Sequence, residues 1–320
     1  MMLFVRETGA KRNMDVLSDI FDTIRLKGTF YFRTDFTPPW AITVPVYAQA
    51  ARFHLVVQGR CHISLTSGRH VDAGPGDLVV IPGGREHMLA DRSGRRPAPL
   101  EQIVRDAGFN GTGAFVVGHR DPAASTQLVC GHLTFRHGAD HVLLRALPDL
   151  IVVRPADRAR HPLLDEALRV VARCAMSNAL GSAASIARLS EMIFIEIVRA
   201  SVDQSSDLRQ ILAAMTDEHI GRALMRVHSA PSETLTVETL AESAGMSRSR
   251  FAERFAELIG QPPMAYVAEW RLQKALAHLV ESDASIKEIA GRVGYRSAAA
   301  FTRAFTHRFG TQPTACRVQH

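Results

Sequence analysis

Six residues near the C-terminal end of this chain of 320 residues recur in the same order. Ala241, Gly245, Phe251, Phe255, Gly260 and Pro263 return as Ala290, Gly294, Phe301, Phe305, Gly310 and Pro313. A supersecondary unit used twice is the simplest cause of such self-similarity. Each copy reads as two short helices about a tight turn. Gly245 and Gly294 fall where a chain leaving a helix needs a positive φ, and a hydroxyl follows, Ser247 or Ser297, to cap the next helix. That is helix-turn-helix grammar. In the first copy Phe251, Phe255 and Leu258 form an apolar stripe at i, i+4 and i+7. At about 100° per residue, the opposite face of that helix carries Ser249, Ala252, Glu253 and Ala256. The same arithmetic from Phe301 gives Ala299, Thr302, Arg303 and Thr306.

Between the copies, Met264 to Leu279 is a helical pattern without a breaker, which would hold the two units at a fixed separation. This matters because successive major grooves on one DNA face lie about 34 Å apart. Ser285 to Glu288 is a capping box at the start of the second copy. From Ile289 to His320 the chain has Arg292, Arg296, Arg303, Arg308 and Arg317 and no acidic residue. One-sided basic charge beside exposed helix is an electrostatic footprint for phosphate.

Residues 217–317 resemble the DNA-binding domain of the AraC/XylS family of bacterial transcription regulators. The resemblance rests on AGMSRSRFAERFAELIGQPPMAYVAEWRLQKA and IKEIAGRVGYRSAAAFTRAFTHRFGTQP. It implies Ser249, Ala252 and Glu253 as base-facing positions of a first recognition helix, with Arg248 and Arg250 beside the backbone. Thr302 and Arg303 take the base-facing role in the second helix, with Arg296, Ser297 and Ala299 at its start. Ala298, Ala299 and Ala300 stand where many members place polar groups, so the second helix is expected to rely on methyl contacts or shape readout. Cys316 stands at a closing position that is often aromatic in the family.

Net charge is +6 with a pI near 9.5. Residues 217–320 nevertheless hold 13 basic and 11 acidic groups, a difference of +2, so clustering rather than total charge carries the nucleic-acid argument. Cys61, Cys130, Cys174 and Cys316 form no CxxC pair, which suits a reducing cytosol. No apolar stretch reaches the length of a membrane span, since Met192 to Val198 is short and interrupted by Glu196. MMLFVRETGAKRN is too charged for a signal peptide, and Met14 is an alternative start to Met1.

The first 155 residues read as β structure. FHLVVQGRCHISL, HVDAGPGDLVVIP and TQLVCGHLTF alternate apolar and polar residues between Gly and Pro turns. Gly76, Pro82, Gly84 and His87 match the second cupin motif, which turns a strand through a Gly-Pro corner and aims one imidazole into a barrel. This half resembles the cupin-like sensor domain that precedes the DNA-binding domain in part of the AraC family. The first cupin motif departs from the pattern. Where metal-dependent cupins place a His-x-His pair and a carboxylate, this chain has Val46, Ala48 and Arg52, so an iron or manganese site of three His and one Glu cannot be built. His54, His87 and Cys130 remain, with Cys61 and His132 as further candidates. Two imidazoles and a thiolate would bind zinc or copper if they converge. The alternative is two hydrogen-bonded core histidines beside small buried cysteines.

The expected fold is α+β and multidomain. Residues 1–13 are a disordered leader, 14–160 a cupin-like antiparallel β-barrel, 161–207 a helical pair and linker, and 208–320 an all-α domain with two helix-turn-helix motifs. Leu164, Leu168 and Val171, then Ile186, Leu189, Ile193 and Ile197, give the stripes of the helical pair, either a homodimer surface or ordinary core. SVDQSSD at 201–207 reads as the linker. Helices are expected over Leu208–Ala214 and His219–His228. The implied function is a cytoplasmic, non-enzymatic transcription regulator that binds double-stranded DNA, senses a small molecule, metal or oxidant, and contacts RNA polymerase if it activates. The competing class is a metal-dependent cupin oxygenase or isomerase fused to a DNA-binding domain, which loss of the His-x-His pair disfavours.

Overall fold

The structure, a computed structural model, describes residues 15–317 apart from residues 112, 120, 122 and 178. The expected leader over 1–13 lies outside the described residues. Two compact units emerge. Of the described residues, one comprises Leu26–Ala139 and Leu143–Arg209, and the other joins residues 15–25 with Asp140–Val142 and residues 210–317. The first described helix, α1 (Val16–Ile24), therefore belongs with the C-terminal half.

The β unit contains β1 (Lys27–Phe36), β2 (Ala41–Val44), β3 (Ala50–Gln58), β4 (Cys61–Leu65), β5 (His70–Ala73), β6 (Leu78–Ile81), β7 (His87–Ala90), β8 (Ala98–Pro99), β9 (Ala114–Val117), β10 (Gln127–Thr134) and β11 (Ile151–Val153). One sheet runs β11-β6-β3-β10-β1-β9 and the other β5-β4-β7-β2-β8. Apolar side chains from both sheets, Phe36, Ile42, Val56, Ile63, Leu89 and Leu128 among them, meet in a single core between the layers. The central strands β3 and β10 are buried along nearly their whole length rather than on alternate residues. Such continuous burial means both faces of the sheet are covered. Short α2 (Leu100–Asp106) contributes Leu100 and Ile103 to the core, and α3 (Val142–Arg145) and α4 (Pro155–Arg158) are single turns.

The helical pair is α5 (Pro162–Met176) and α6 (Ser182–Ala200), and both contact β1. Leu164, Leu168, Val171, Ile186, Ile193 and Ile197 are buried, so these stripes serve packing within one chain. The expected linker is ordered instead. Ser201 is fully buried, Val202–Gln204 form a 3-10 turn, and the Gln204 amide donates to the Val152 carbonyl at 3.1 Å. The Ser201 and Ser205 hydroxyls also donate to the Ile197 and Ala146 carbonyls, while Asp203, Ser206 and Asp207 stay exposed.

The helical unit continues with α7 (Ser206–Thr216), α8 (Ile220–Ser229), α9 (Val237–Ala244), α10 (Arg248–Ile259), α11 (Pro263–Glu281), α12 (Ile286–Arg292) and α13 (Ala298–Phe309). Both repeat turns close as expected, with Gly245 at φ 66° and Gly294 at φ 82°. The two N-caps differ. Ser297 Oγ accepts from the Ala300 N–H, whereas the Ser247 side chain makes no capping bond to α10. The capping box of α12 is complete, Ser285 with Glu288. Phe251, Phe255, Phe301 and Phe305 are fully buried. Helix α11 packs Tyr266 against Phe255 of the first copy and Trp270 against His228 of α8, while Leu272, Leu276 and Leu279 join the core of the second.

A buried polar chain ties three segments together inside this unit. Asp19 of α1, 2% exposed, accepts from His228 Nδ1–H at 2.9 Å and from Lys274 Nζ at 2.5 Å. The Tyr266 hydroxyl donates to His228 Nε2 at 2.7 Å and accepts from His141 Nε2–H at 3.2 Å. Burial alone would raise the Asp19 carboxyl, but the bonds from His228 and Lys274 bring it below the usual range. Burial holds His228 below the ordinary imidazole value despite the carboxylate beside it. Neutral His228 gains its proton only on unfolding, so stability falls as pH drops below about 6.5, the unfolded value. Asp19, whose carboxyl is depressed, adds a second loss as pH falls below the ordinary carboxylate range.

We expect Asp19→Ala to cost about 1–3 kcal/mol, because the buried His228 N–H and the half-buried Lys274 ammonium lose their acceptor. The urea midpoint of the full chain at pH 7 checks it. His228→Gln should flatten the decline in stability between pH 7 and 5, and an unchanged pH slope would contradict the assignment of a neutral histidine.

Candidate nucleic-acid interface and barrel cavity

The arginines of the helical unit divide by what they hold. Arg254 pairs with Asp217 at 2.5 Å, and Arg271 donates to the Pro231 and Glu233 carbonyls at 2.9 and 2.6 Å. Arg308 pairs with Asp140 and Arg317 donates to the Ala284 carbonyl. Asp217 is driven down to about 2, burial being outweighed by Arg254 and by the N–H groups of Ile220 and His219. These guanidinium groups brace the fold. By contrast Arg250, Arg296 and Arg303 are exposed and meet no hydrogen-bonding or ion-pairing partner among the described residues. Arg248 is intermediate, exposed but held by Glu238 of α9 at 2.8 Å.

Of the expected positions, Ser249 and Glu253 on α10, Ala299 on α13 and Ser297 at the α13 N-cap are exposed, while Ala252 and Thr302 are half-buried. The helical arithmetic located the outward face. It overstated its width, since Ala256 and Thr306 are half-buried as well.

In the barrel, β3 and β10 are antiparallel neighbours with His54 directly opposite Cys130. Their side chains meet: His54 Nδ1 lies 3.2 Å from Cys130 Sγ, and His54 Nε2 lies 2.8 Å from His87 Nε2. His87 Nδ1 is 2.8 Å from the Arg85 carbonyl. Proton positions follow from the network. A carbonyl only accepts, so His87 Nδ1 carries the proton and, in the neutral ring, Nε2 accepts. His54 must then donate from Nε2, which leaves its Nδ1 to accept the Cys130 S–H. All three groups are uncharged. Burial presses His54 well down, helped by His87 and Arg52, and brings His87 to about 4. Burial pushes the Cys130 thiol far up, with Cys61 adding to it and Arg52 opposing.

This arrangement does not fit a metal. His54 spends its two nitrogens on opposite neighbours, so the three donors share no common centre, and among the described residues no group of three His, Cys, Asp or Glu is placed to hold an ion. Cys61 lies on β4 in the other sheet with its thiol raised to about 12 by burial. His132, brought to about 4 by burial and Arg52, stacks edge-on against Tyr47 rather than joining the chain.

Beside the His54–Cys130 pair lies a cavity of about 270 Å³ lined mainly by apolar side chains of both sheets and α2. Its polar lining includes Thr34, Arg52, His54, Glu101 and Cys130. Arg52 was legible in the sequence only as a departure from the cupin motif. The available signal was its i, i+2 spacing to His54 on one strand, which puts both on the inner face.

A cupin family model matches residues 15–203, and a helix-turn-helix domain model matches residues 240–319. The HTH-type transcriptional regulator AlkR of Acinetobacter baylyi is 31% identical over 317 residues, covering 96% of this chain and 100% of that protein. The transcriptional regulator MtrA of Neisseria gonorrhoeae is 26% identical over 311 residues, 96% of this chain and 99% of its own. RclR of Escherichia coli, an RCS-specific transcriptional activator, is 27% identical over 263 residues, 82% of each chain. Among solved structures, the DNA-binding domain of AdpA in complex with a target DNA shares 35% identity over 32% of this chain and 92% of its own, with a TM-score of 0.31. The chain belongs to the AraC-type helix-turn-helix transcriptional regulators that carry an N-terminal cupin domain. It is a DNA-binding transcriptional regulator with a ligand-sensing cupin domain, α+β in class, and no described helix is long and apolar enough to cross a membrane.

A neutral, buried thiol is a poor nucleophile. Under native conditions iodoacetamide should therefore modify Cys174, which is half-buried, well before Cys130 or Cys61. Peptide mass mapping over time checks it. Rapid labelling of Cys130 would mean a thiolate–imidazolium pair and would overturn the proton assignment.

Proposed function

We propose that Ser249, Ala252, Glu253, Ala299, Thr302 and Arg303 face base edges, with Arg248, Arg250, Arg296 and Ser297 engaging the phosphate backbone. The observation that carries this reading is the set of exposed, unengaged guanidinium groups, Arg250, Arg296 and Arg303, on or beside the second helix of each repeat. An ion-paired arginine must break its pair to reach a phosphate, whereas these three release only condensed counterions from DNA. The protein works in the cytoplasm without catalysing a reaction, the barrel cavity takes a small-molecule effector, and His54 and Cys130 stand in its polar wall with His87 bonded to His54. In this reading 14–160 is the sensor, 161–207 the helical pair and linker, and 208–320 the DNA-binding domain with α1 packed on it. RNA polymerase is the further partner if the outcome is activation. The enzymatic alternative finds no support in the donor arrangement, because a cupin oxygenase needs a bound metal.

Two substitutions separate reading from gripping. On duplexes selected from a random library by the full chain, Arg303→Ala should cost about 1–3 kcal/mol on the selected site and relax preference at one base position. Arg296→Ala should weaken all sequences alike and shallow the slope of log K against log salt by about one unit. Binding isotherms on matched and mismatched duplexes across salt concentrations decide it, and an equal loss on every sequence for Arg303→Ala removes it from the base readers.

A further inference from the structure

The two repeats place opposite charges at one position. Glu253 and Arg303 each stand two residues after the first buried phenylalanine of the helix, Phe251 or Phe301, and each is the sixth residue of its helix, α10 or α13. Both side chains are exposed, and neither meets a hydrogen-bonding or ion-pairing partner among the described residues. Arg254, the neighbour of Glu253 in sequence, is held by Asp217 at 2.5 Å, and Arg248 by Glu238 at 2.8 Å, so neither neutralises it. A carboxylate on a face turned to DNA is costly. The duplex carries one negative charge for about every 1.7 Å of its axis, so Glu253 repels any sequence in which no base offers it a donor. This inference rests on the reading that α10 turns that face to the base edges.

The major groove limits what that donor can be. Guanine presents only acceptors there, N7 and O6, and thymine presents the O4 acceptor beside its methyl group. Adenine offers its N6 amine next to the N7 acceptor, so the second carboxylate oxygen would meet a lone pair. Cytosine offers its N4 amine with no acceptor of its own beside it. A carboxylate only accepts. We infer that Glu253 is a specificity-determining residue that selects cytosine by accepting a hydrogen bond from its N4 amine. On any other base its charge is left against acceptors and phosphates, so it lowers affinity for wrong sites as well as marking the right one. Arg303, which only donates, has the reverse preference at the same place in the second copy and suits the two acceptors of guanine. The copies share a scaffold and read unlike bases.

Base preference measured with the full chain tests this. Duplexes are selected from a random library by the unaltered chain, and each position of the selected site is then replaced by the other three base pairs. One position should be a C·G pair at which any replacement weakens binding about tenfold. Glu253→Ala should shrink that penalty to under about threefold, leave the penalty at the position read by Arg303 as it was, and tighten binding to an unrelated duplex. A residue that only supports the helix would, on truncation, weaken binding to every duplex, so the tighter unrelated binding separates the two roles. Glu253→Gln, nearly the same in shape, should move the preference at that position toward an A·T pair, since an amide bonds to both N6 and N7 of adenine. A penalty unchanged in both variants, or a loss that falls equally on all duplexes, overturns the assignment of Glu253, and a relaxed position that is an A·T pair overturns the choice of cytosine. If Arg303→Ala also leaves every base preference unchanged, the reading of these faces as base-facing falls as well. Relaxation by Arg303→Ala alone leaves that reading standing and removes only Glu253.

Discussion

Burial of α11 on several sides is the constraint on which the DNA-binding half depends. Tyr266, Val267, Trp270, Leu272, Ala275, Leu276 and Leu279 are all sequestered, so this helix is core for both repeats at once. Neither repeat could bury its phenylalanine stripe alone, because a unit of two short helices has too little apolar surface to offset the entropy of ordering. One helix of 19 residues, about 28 Å long at 1.5 Å per residue, supplies the missing wall to each. Its rigidity then fixes the distance between α10 and α13.

The same helix explains why polar groups sit where hydrophobic ones would be simpler. Tyr266 and Lys274 lie on its face toward α1, where they meet Asp19, His228 and His141. Apolar packing is indifferent to small slips, but a closed chain of donors and acceptors tolerates one register. The barrel uses the same device: Cys130, His54, His87 and the Arg85 carbonyl form a chain in which every proton has one consistent place. Burial keeps His228 neutral in one and His54 and His87 neutral in the other. The charge that remains in each cluster is on Lys274 and Asp19 in one and on Arg52 in the other.

Much of this was legible in the sequence where the signal is local. Gly245 and Gly294 mark turns because only glycine accepts that backbone cheaply, and Ser285 with Glu288 marks a helix start because both partners lie within one turn. The strands bearing His54, His87 and Cys130 were legible for the same reason. Their convergence was not, since it depends on β3 pairing with β10 across more than seventy residues, and a one-residue slip would have turned Cys130 away from His54. Asp19 and His228 stand 209 positions apart with no motif to join them. Ser201 to Asp207 misled by composition, because Ser201, Gln204 and Ser205 bond to backbone carbonyls and order a segment that is otherwise polar and largely exposed.

On the proposed reading a single chain presents two helices to DNA at a separation set by α11. Hydroxyl-radical footprinting of the full chain on a selected duplex, at a stoichiometry fixed by native mass spectrometry, measures this directly. Two protected patches per bound chain, on one face of the duplex and about ten base pairs apart, are the expected result. One patch per chain would contradict it.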